Sequence, residues 1–161
     1  MKTESSRGLV SPDRVVPQTY FDVILRHDGI VWLRRSEVVY PSVRDVHRAY
    51  DDFLAVADDW LLERRIKSGE LGTKTKTAMS WLYDVRSAPT RRADPEFEEV
   101  VQARRADLLD RSAALAVLVR TAAGRMQVTR LARTANAAVV VFDDFDEAIR
   151  WLGERMKPAP K

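Results

Sequence analysis

Six consecutive apolar residues, ALAVLV at positions 114–119, constrain the fold of this chain most strongly. A strand that is exposed on one face alternates apolar and polar residues, whereas an unbroken apolar run is typical of a central strand covered on both faces. Such a strand needs helices packed over the sheet that contains it. The sequence therefore predicts a layered α/β domain with this strand near its centre.

Four more strands are predicted around this run. Residues 19–35 alternate apolar and polar side chains, and Asp28-Gly29 in their middle is a turn signal because glycine accepts a positive φ. They therefore predict a hairpin of two strands. Residues 78–85 and 137–142 predict the other two strands, which brings the sheet to five.

Four helices are predicted from apolar residues at helical spacing and from capping residues. The first carries Asp45 at the reciprocal position of a capping box and ends near Arg65. The second has Pro95 in its first turn, where no N–H is needed, and the third ends at Asn136. The residues at which the four helices begin are Ser42, Asp94, Gly124 and Asp144.

The predicted order is ββαβαβαβα in a single α/β domain. Alternating strands and helices call for right-handed crossovers, so the five-stranded sheet should be mixed but mostly parallel, with helices on both of its faces. The domain is expected over residues 19–156. Residues 1–18 are polar with two prolines and predict a flexible arm, and residues 157–161 predict a tail.

The composition limits the classes of function. The absence of cysteine excludes disulfides, thiolate metal sites and cysteine nucleophiles. No apolar stretch has the length of a signal peptide core or a membrane span, so we expect a cytoplasmic protein without membrane insertion. The net charge of +3 comes from arginines interspersed with acidic residues, which favours a solvated mixed-charge surface over a nucleic-acid site.

The C-terminal segment VVVFDDFDEAIRWL, residues 139–152, joins a strand that ends in Phe142 to a helix with the pattern Glu-Ala-x-x-Trp-Leu. This segment, the strand at residues 115–120 and the order of elements over residues 20–156 resemble the STAS domain, named for sulfate transporters and anti-sigma-factor antagonists. The resemblance is to the stand-alone bacterial branch called SpoIIAA-like or STAS/SEC14-like. It implies a non-enzymatic, regulatory domain that acts by binding proteins.

Anti-sigma-factor antagonists carry a phosphorylatable serine in an Asp-Ser-Ser-Gly-type turn just after the third-strand region. The corresponding place in this chain, residues 84–92, reads DVRSAPTRR and lacks the Ser-Ser-Gly pattern. Ser87 and Thr90 are therefore the phosphosites that the resemblance offers. Because the Ser-Ser-Gly pattern is absent, we expect that phosphorylation is not the main switch of this domain.

Basic and hydroxyl side chains follow two of the predicted strands at the points where each strand ends. If these strands are parallel neighbours, their carboxyl ends meet at one edge of the sheet, which we call the rim. The guanidinium groups of arginines there are suited to binding phosphate, carboxylate or an acidic partner. The alternative is that the arginines pair with nearby aspartates as structural ion pairs. The candidate residues of the rim are Arg86, Ser87, Thr90, Arg91, Arg120, Thr121 and Arg125, with Arg92 and Gln127 beside them.

Three functions remain open, and the leading one is protein interaction through the rim and a helix face. The alternative is binding or sensing of a small anionic ligand or nucleotide at the rim. An enzyme is disfavoured because the sequence shows no nucleophile with a base, no glycine-rich phosphate loop and no metal ligands; we predict no catalytic residue, metal or cofactor. Trp60-Leu61-Leu62 either docks a second copy or another protein, or is buried against the sheet.

Overall fold

The computed structural model describes residues 12–68, 79–89, 94–133 and 138–156. Its elements follow the predicted order, with one strand added at the start. In chain order they are β1 (Arg14–Pro17), β2 (Phe21–Leu25), β3 (Ile30–Arg35), α1 (Val43–Ser68), β4 (Met79–Asp84), α2 (Pro95–Asp110), β5 (Ser112–Leu118), α3 (Ala122–Ala132), β6 (Ala138–Phe142) and α4 (Phe145–Met156).

The six strands form one sheet in which their spatial order is their chain order. The pairs β1–β2 and β2–β3 are antiparallel, and the pairs β3–β4, β4–β5 and β5–β6 are parallel. Asp84 of β4 lies opposite Leu118 of β5, which in turn lies opposite Phe142 of β6. The predicted α/β class and the mixed, mostly parallel sheet are confirmed.

The prediction of five strands was wrong by one, because Arg14–Pro17 forms the edge strand β1 inside the segment assigned to a flexible arm. Val16 pairs with Val23 and packs against the core. Asp13 ties the start of the strand to the hairpin, since its carboxylate accepts the His27 backbone N–H at 2.8 Å. A four-residue strand that ends in proline gives little signal, because proline lacks an N–H and is confined to sheet edges. Residues 1–11 and 157–161 lie outside the described residues.

The two faces of the sheet are covered by different helices. α1, α2 and α3 contribute side chains to the larger buried cluster, whereas α4 contributes Ala148 and Leu152 to a smaller cluster on the opposite face. Parallel strands in chain order joined by right-handed crossovers place all the connecting helices on one side, which leaves the other side to α4. We call these the three-helix face and the α4 face. The prediction that helices cover both faces is confirmed.

β5 is the central strand that the apolar run predicts. Every residue from 114 to 119 is at most 4% exposed. Leu115 and Val117 point to the three-helix face, and Ala116 and Leu118 point to the α4 face. The run is apolar throughout because both sets of side chains are removed from water.

Capping fixes where the helices begin. Asp94 accepts the backbone N–H of Glu96 at 3.1 Å, ahead of Pro95 in the first turn, and Asp144 accepts that of Glu147 at 2.9 Å. The third helix begins at Ala122 rather than at Gly124, because the Thr121 hydroxyl accepts the Gly124 N–H at 3.1 Å. None of the described helices combines the length and the apolar content that crossing a bilayer requires.

Candidate functional site

The carboxyl ends of β4, β5 and β6 meet at one edge of the sheet. The Val85 N–H donates to the Leu118 carbonyl at 3.0 Å, and the Val119 N–H donates to the Phe142 carbonyl at 3.0 Å, so the strands stay paired up to their ends. The segments that carry Arg86, Arg120 and Arg125 leave the sheet there. The structure therefore brings the described part of the predicted rim together.

Arg86 is held by an aspartate of the strand that precedes it. Its Nε donates to Asp84 Oδ1 at 2.9 Å and its Nη2 to Asp84 Oδ2 at 2.8 Å, and Trp32 Nε1 donates to the same Oδ2 at 3.3 Å. Asp84 is only 2% exposed. The hydrogen bond to Asp84 raises the pKa of Arg86, against the opposing effect of burial. For this arginine the geometry is that of a structural ion pair.

The other rim residues differ in what they contact. Arg125 lies 3.7 Å from the Asp143 carboxylate, with both side chains at least half exposed. Arg120 is exposed and has no ion pair with the described residues. Ser87 is exposed in the turn after β4, and Thr121 caps α3. Thr90, Arg91 and Arg92 lie outside the described residues.

A positive helix face continues from the rim along α3. Residues 120–133 contain four arginines and no aspartate or glutamate. Met126 and Arg130 lie four residues apart on one side of α3, and Arg133 follows directly after the helix, with its N–H still bonded to the Thr129 carbonyl at 3.3 Å. All three side chains are exposed. We call them the α3 outer face. Within the part of the chain that the structure describes, Arg130 and Arg133 have no acidic partner.

A small cavity lies under the rim on the three-helix face, between α2 and α3 and above β5. Its volume is about 70 Å³. Most of its lining is aliphatic, and the polar groups come from three different elements. Among the lining residues are Tyr83, Arg105 and Gln127, which are polar, and Leu108, Val117 and Val128, which are apolar.

Arg105 of α2 is the charged group at this cavity. Its Nε is buried and has no hydrogen-bond partner among the described residues. Burial opposes its charge, but Tyr83, Tyr50 and Glu98 offset the burial, so that the pKa of Arg105 lies above its ordinary value. The Tyr50 and Tyr83 hydroxyls are 3.4 Å apart. Burial, followed by the neighbouring Tyr83, raises the pKa of Tyr50 well above that of a free tyrosine.

Arg105 is absent from the site residues predicted from the sequence, although a signal for it was present. Arg105 lies four residues after Val101 and three before Leu108, which places it on the buried side of α2. Charged side chains are rarely buried unless a partner compensates them. An arginine at a core-facing helical position therefore marks a polar site inside the domain.

The segment Trp60-Leu61-Leu62, proposed as an interaction surface, is split by the helix. Trp60 is 9% exposed and packs in the core, Leu61 is half-buried, and Leu62 is 52% exposed. Ile66, one turn further along α1, is 57% exposed. Burial against the sheet therefore accounts for Trp60, while Leu62 remains at the surface.

No family model matches the chain, and no curated protein matches it. Among solved structures, the chain is similar to the crystal structure of an uncharacterized protein of the DUF3478 family, described as having a SpoIIAA-like fold, from Shewanella loihica PV-4. The match has 10% sequence identity and a TM-score of 0.44, and it covers 87% of this chain and 91% of the other. At this identity and TM-score the likeness says nothing about binding or activity.

Proposed function

We propose that this domain is a non-enzymatic protein-interaction module that binds an acidic segment of a partner protein. The docking surface is the α3 outer face together with Arg120 at the adjoining rim. The observation that carries the proposal is the charge of residues 120–133, where four arginines occur without an acidic residue. Three of them, Arg120, Arg130 and Arg133, are exposed and have no acidic partner among the described residues, so they are available to the carboxylates of a partner.

Met126 supports a protein partner rather than a nucleic acid. It is 61% exposed and lies one turn from Arg130 on the same side of α3. An apolar side chain among arginines is the composition of the contact centres of protein interfaces, where methionine and arginine are enriched. The phosphates of a nucleic-acid backbone make no favourable contact with the thioether of Met126.

The acidic start of α4 also disfavours a long polyanion. Asp143, Asp144, Asp146 and Glu147 are exposed where the chain leaves β6 at the rim, and Arg125 reaches Asp143. A continuous polyanion across the rim would meet these carboxylates, and like charges repel. A protein segment with its acidic residues over α3 alone avoids that repulsion.

Binding of a small anion at the rim has weaker support. Arg86 is bonded to Asp84, and Arg125 lies beside Asp143, so two of the four arginines proposed for one positive edge already have an acid nearby. Arg91, a third member, lies outside the described residues. Arg120 is the described member that lacks an acidic partner, and a single exposed cation holds an anion weakly in water.

The test is a double charge reversal on the α3 outer face, Arg130→Glu with Arg133→Glu. The immobilised wild type and variant are incubated with nuclease-treated extract of the source organism, and retained proteins are quantified by mass spectrometry. The leading retained protein is then purified, and its dissociation constant is measured at two salt concentrations. We expect the variant to bind it at least roughly tenfold more weakly, and wild-type binding to weaken as salt increases.

A matched control reverses two exposed arginines elsewhere, Arg44→Glu with Arg48→Glu on α1. This variant has the same change in net charge and should bind the purified partner like the wild type. Equal melting temperatures of the two variants show that both are folded. Equal loss of binding in both variants, or no loss in the α3 variant, contradicts the proposed surface.

A further inference from the structure

We infer that the β6 edge of the sheet pairs with the β6 edge of a second copy of this chain, antiparallel, about a two-fold axis at Val140. β6 is the last strand in the order of the sheet, and β5 is its partner among the described strands. This inference goes beyond the proposed function, because the acidic partner is assigned to the α3 outer face. The two surfaces are tested by different variants.

The two edge strands of the sheet differ in their protection against pairing. β1, at the opposite edge, carries Arg14 and ends in Pro17, which has no N–H to donate. Charged residues and proline are devices by which proteins keep an edge strand from pairing with another chain. The five residues of β6, AVVVF, include neither a charge nor a proline. β6 is therefore the edge that can accept a further strand.

The outward backbone groups of β6 belong to Val139 and Val141. The Phe142 carbonyl accepts the Val119 N–H at 3.0 Å, so the backbone groups of Phe142 face β5. Because these groups alternate in direction along a strand, the N–H and C=O groups of Val139 and Val141 point away from β5. They have no hydrogen-bond partner among the described residues.

An antiparallel pair centred on Val140 satisfies all of these outward groups. Val139 of one copy then lies opposite Val141 of the other, and two residues opposed in this way exchange both of their N–H···O bonds. The two-fold axis produces the same exchange a second time. The edge is therefore complementary to itself, as a two-fold interface requires.

Val140 is the side chain of β6 that this pairing covers. It is 37% exposed, whereas Val139 and Val141 are half-buried against the three-helix face. In the proposed register the two Val140 residues oppose each other in a pair without hydrogen bonds, the closer kind of cross-strand pair. Each valine removes apolar surface of the other from water, which stabilises the dimer.

The charges beside β6 favour a second copy in this orientation. α3 begins at the rim and packs over β6, so Arg133, directly after α3, lies at the amino end of β6. The exposed Asp143 and Asp144 follow its carboxyl end. Antiparallel pairing brings the amino end of one strand to the carboxyl end of the other, so unlike charges approach each other at both ends of the interface.

The test is the molar mass of the wild type by sedimentation equilibrium, at concentrations up to about 200 µM because a small interface binds weakly. We expect a concentration-dependent dimer. Val140→Lys places two ammonium groups side by side at the axis and should weaken dimerisation at least roughly tenfold. Val15→Lys makes the same change at the exposed residue of β1 and should dimerise like the wild type. A monomeric wild type overturns the inference, as does equal weakening in both variants.

Val140→Cys tests the register and stays informative even if Val140→Lys fails to fold. The chain has no cysteine, so the variant carries a single thiol. The Cα atoms of an antiparallel pair without hydrogen bonds are about 4.5 Å apart, a distance that a disulfide spans. With oxidised glutathione, we expect Val140→Cys to form a covalent dimer at least roughly tenfold faster than Val15→Cys. Equal rates in the two variants overturn the axis at Val140.

Discussion

Arg86 holds the buried carboxylate of Asp84 through two side-chain hydrogen bonds, of 2.9 and 2.8 Å, from a position two residues further along the chain. Asp84 ends β4 on the α4 face, where the Trp32 indole N–H, 3.3 Å away, also donates to it. The Trp32–Asp84 hydrogen bond therefore ties the end of β4 to β3 beside it, and Arg86 offsets the charge of the shared carboxylate. Arg86 therefore forms a structural ion pair and is not a free cation available to a ligand.

We predict that Arg86→Ala destabilises the fold. The substitution leaves the Asp84 carboxylate buried with fewer donors, and the expected loss in free energy of unfolding is about 1–3 kcal/mol, reduced by the partial exposure of Arg86. Arg120→Ala, at an exposed position without an ion pair in the described part, should stay within about 0.5 kcal/mol. Urea unfolding of both variants measures the difference. Equal stability of the two would show that the Arg86–Asp84 pair contributes nothing.

The rim itself should respond little to inorganic anions. Arg86 and Arg125 each lie beside an aspartate, so phosphate or sulfate has little uncompensated positive charge to bind there. We expect the melting temperature of the wild type to stay within about a degree as phosphate replaces chloride at constant ionic strength. A clear rise that Arg120→Ala or Arg125→Ala removes would restore the small-anion function of the rim.

The fold could be predicted because its signals are local. The apolar run at residues 114–119 and the capping aspartates at 94 and 144 each act through neighbours in the chain, and each appears in the structure as expected. β1 was not predicted because the sequence pattern of a four-residue strand that ends in Pro17 differs little from that of a polar arm. Its stability depends on pairing with β2 and on the Asp13 contact to His27, which lie distant in sequence.

The candidate site was only partly predictable for the same reason. The adjacency of β4 and β5 follows from alternating elements, so the rim could be placed. Whether each arginine is free or paired depends on side-chain geometry, which composition does not encode. The Arg105 cavity requires Tyr83 of β4, Tyr50 of α1 and Arg105 of α2 to converge, and no short segment of the sequence contains more than one of them.

Ser87 should carry no substantial phosphate in the source organism. It is exposed in the turn after β4, so a kinase could reach it, but its neighbour Arg86 is already bonded to Asp84 and gives a phosphate group little new stabilisation. Intact-mass analysis of protein purified from that organism checks this expectation. A large phosphorylated fraction at Ser87 or Thr90 would favour a switch of the anti-sigma-antagonist type.

The contact between Asp13 and His27 predicts a dependence of stability on pH. The His27 backbone N–H, followed by its side chain, lowers the pKa of Asp13 below the ordinary value of 3.8. A carboxylate with a lowered folded-state pKa stabilises the fold above its unfolded pKa, and this contribution is lost as pH falls through the folded pKa. The wild type should therefore be more stable than Asp13→Asn near pH 5 and lose that advantage progressively as the pH falls below the ordinary value of 3.8. Urea unfolding across this range tests it, and an advantage that persists at low pH would contradict the role of the charge.

Val117→Asp should be among the most destabilising single substitutions in this chain. Val117 is 3% exposed in the central strand β5, between β4 and β6, so the new carboxylate would be buried without a partner. The expected loss is about 3–5 kcal/mol. Ala113→Asp places the same side chain at an exposed position of the same strand and should cost about 1 kcal/mol or less. Thermal melts of the two variants compare them, and a Val117→Asp melt within a degree or two of the parent would contradict the central position of β5.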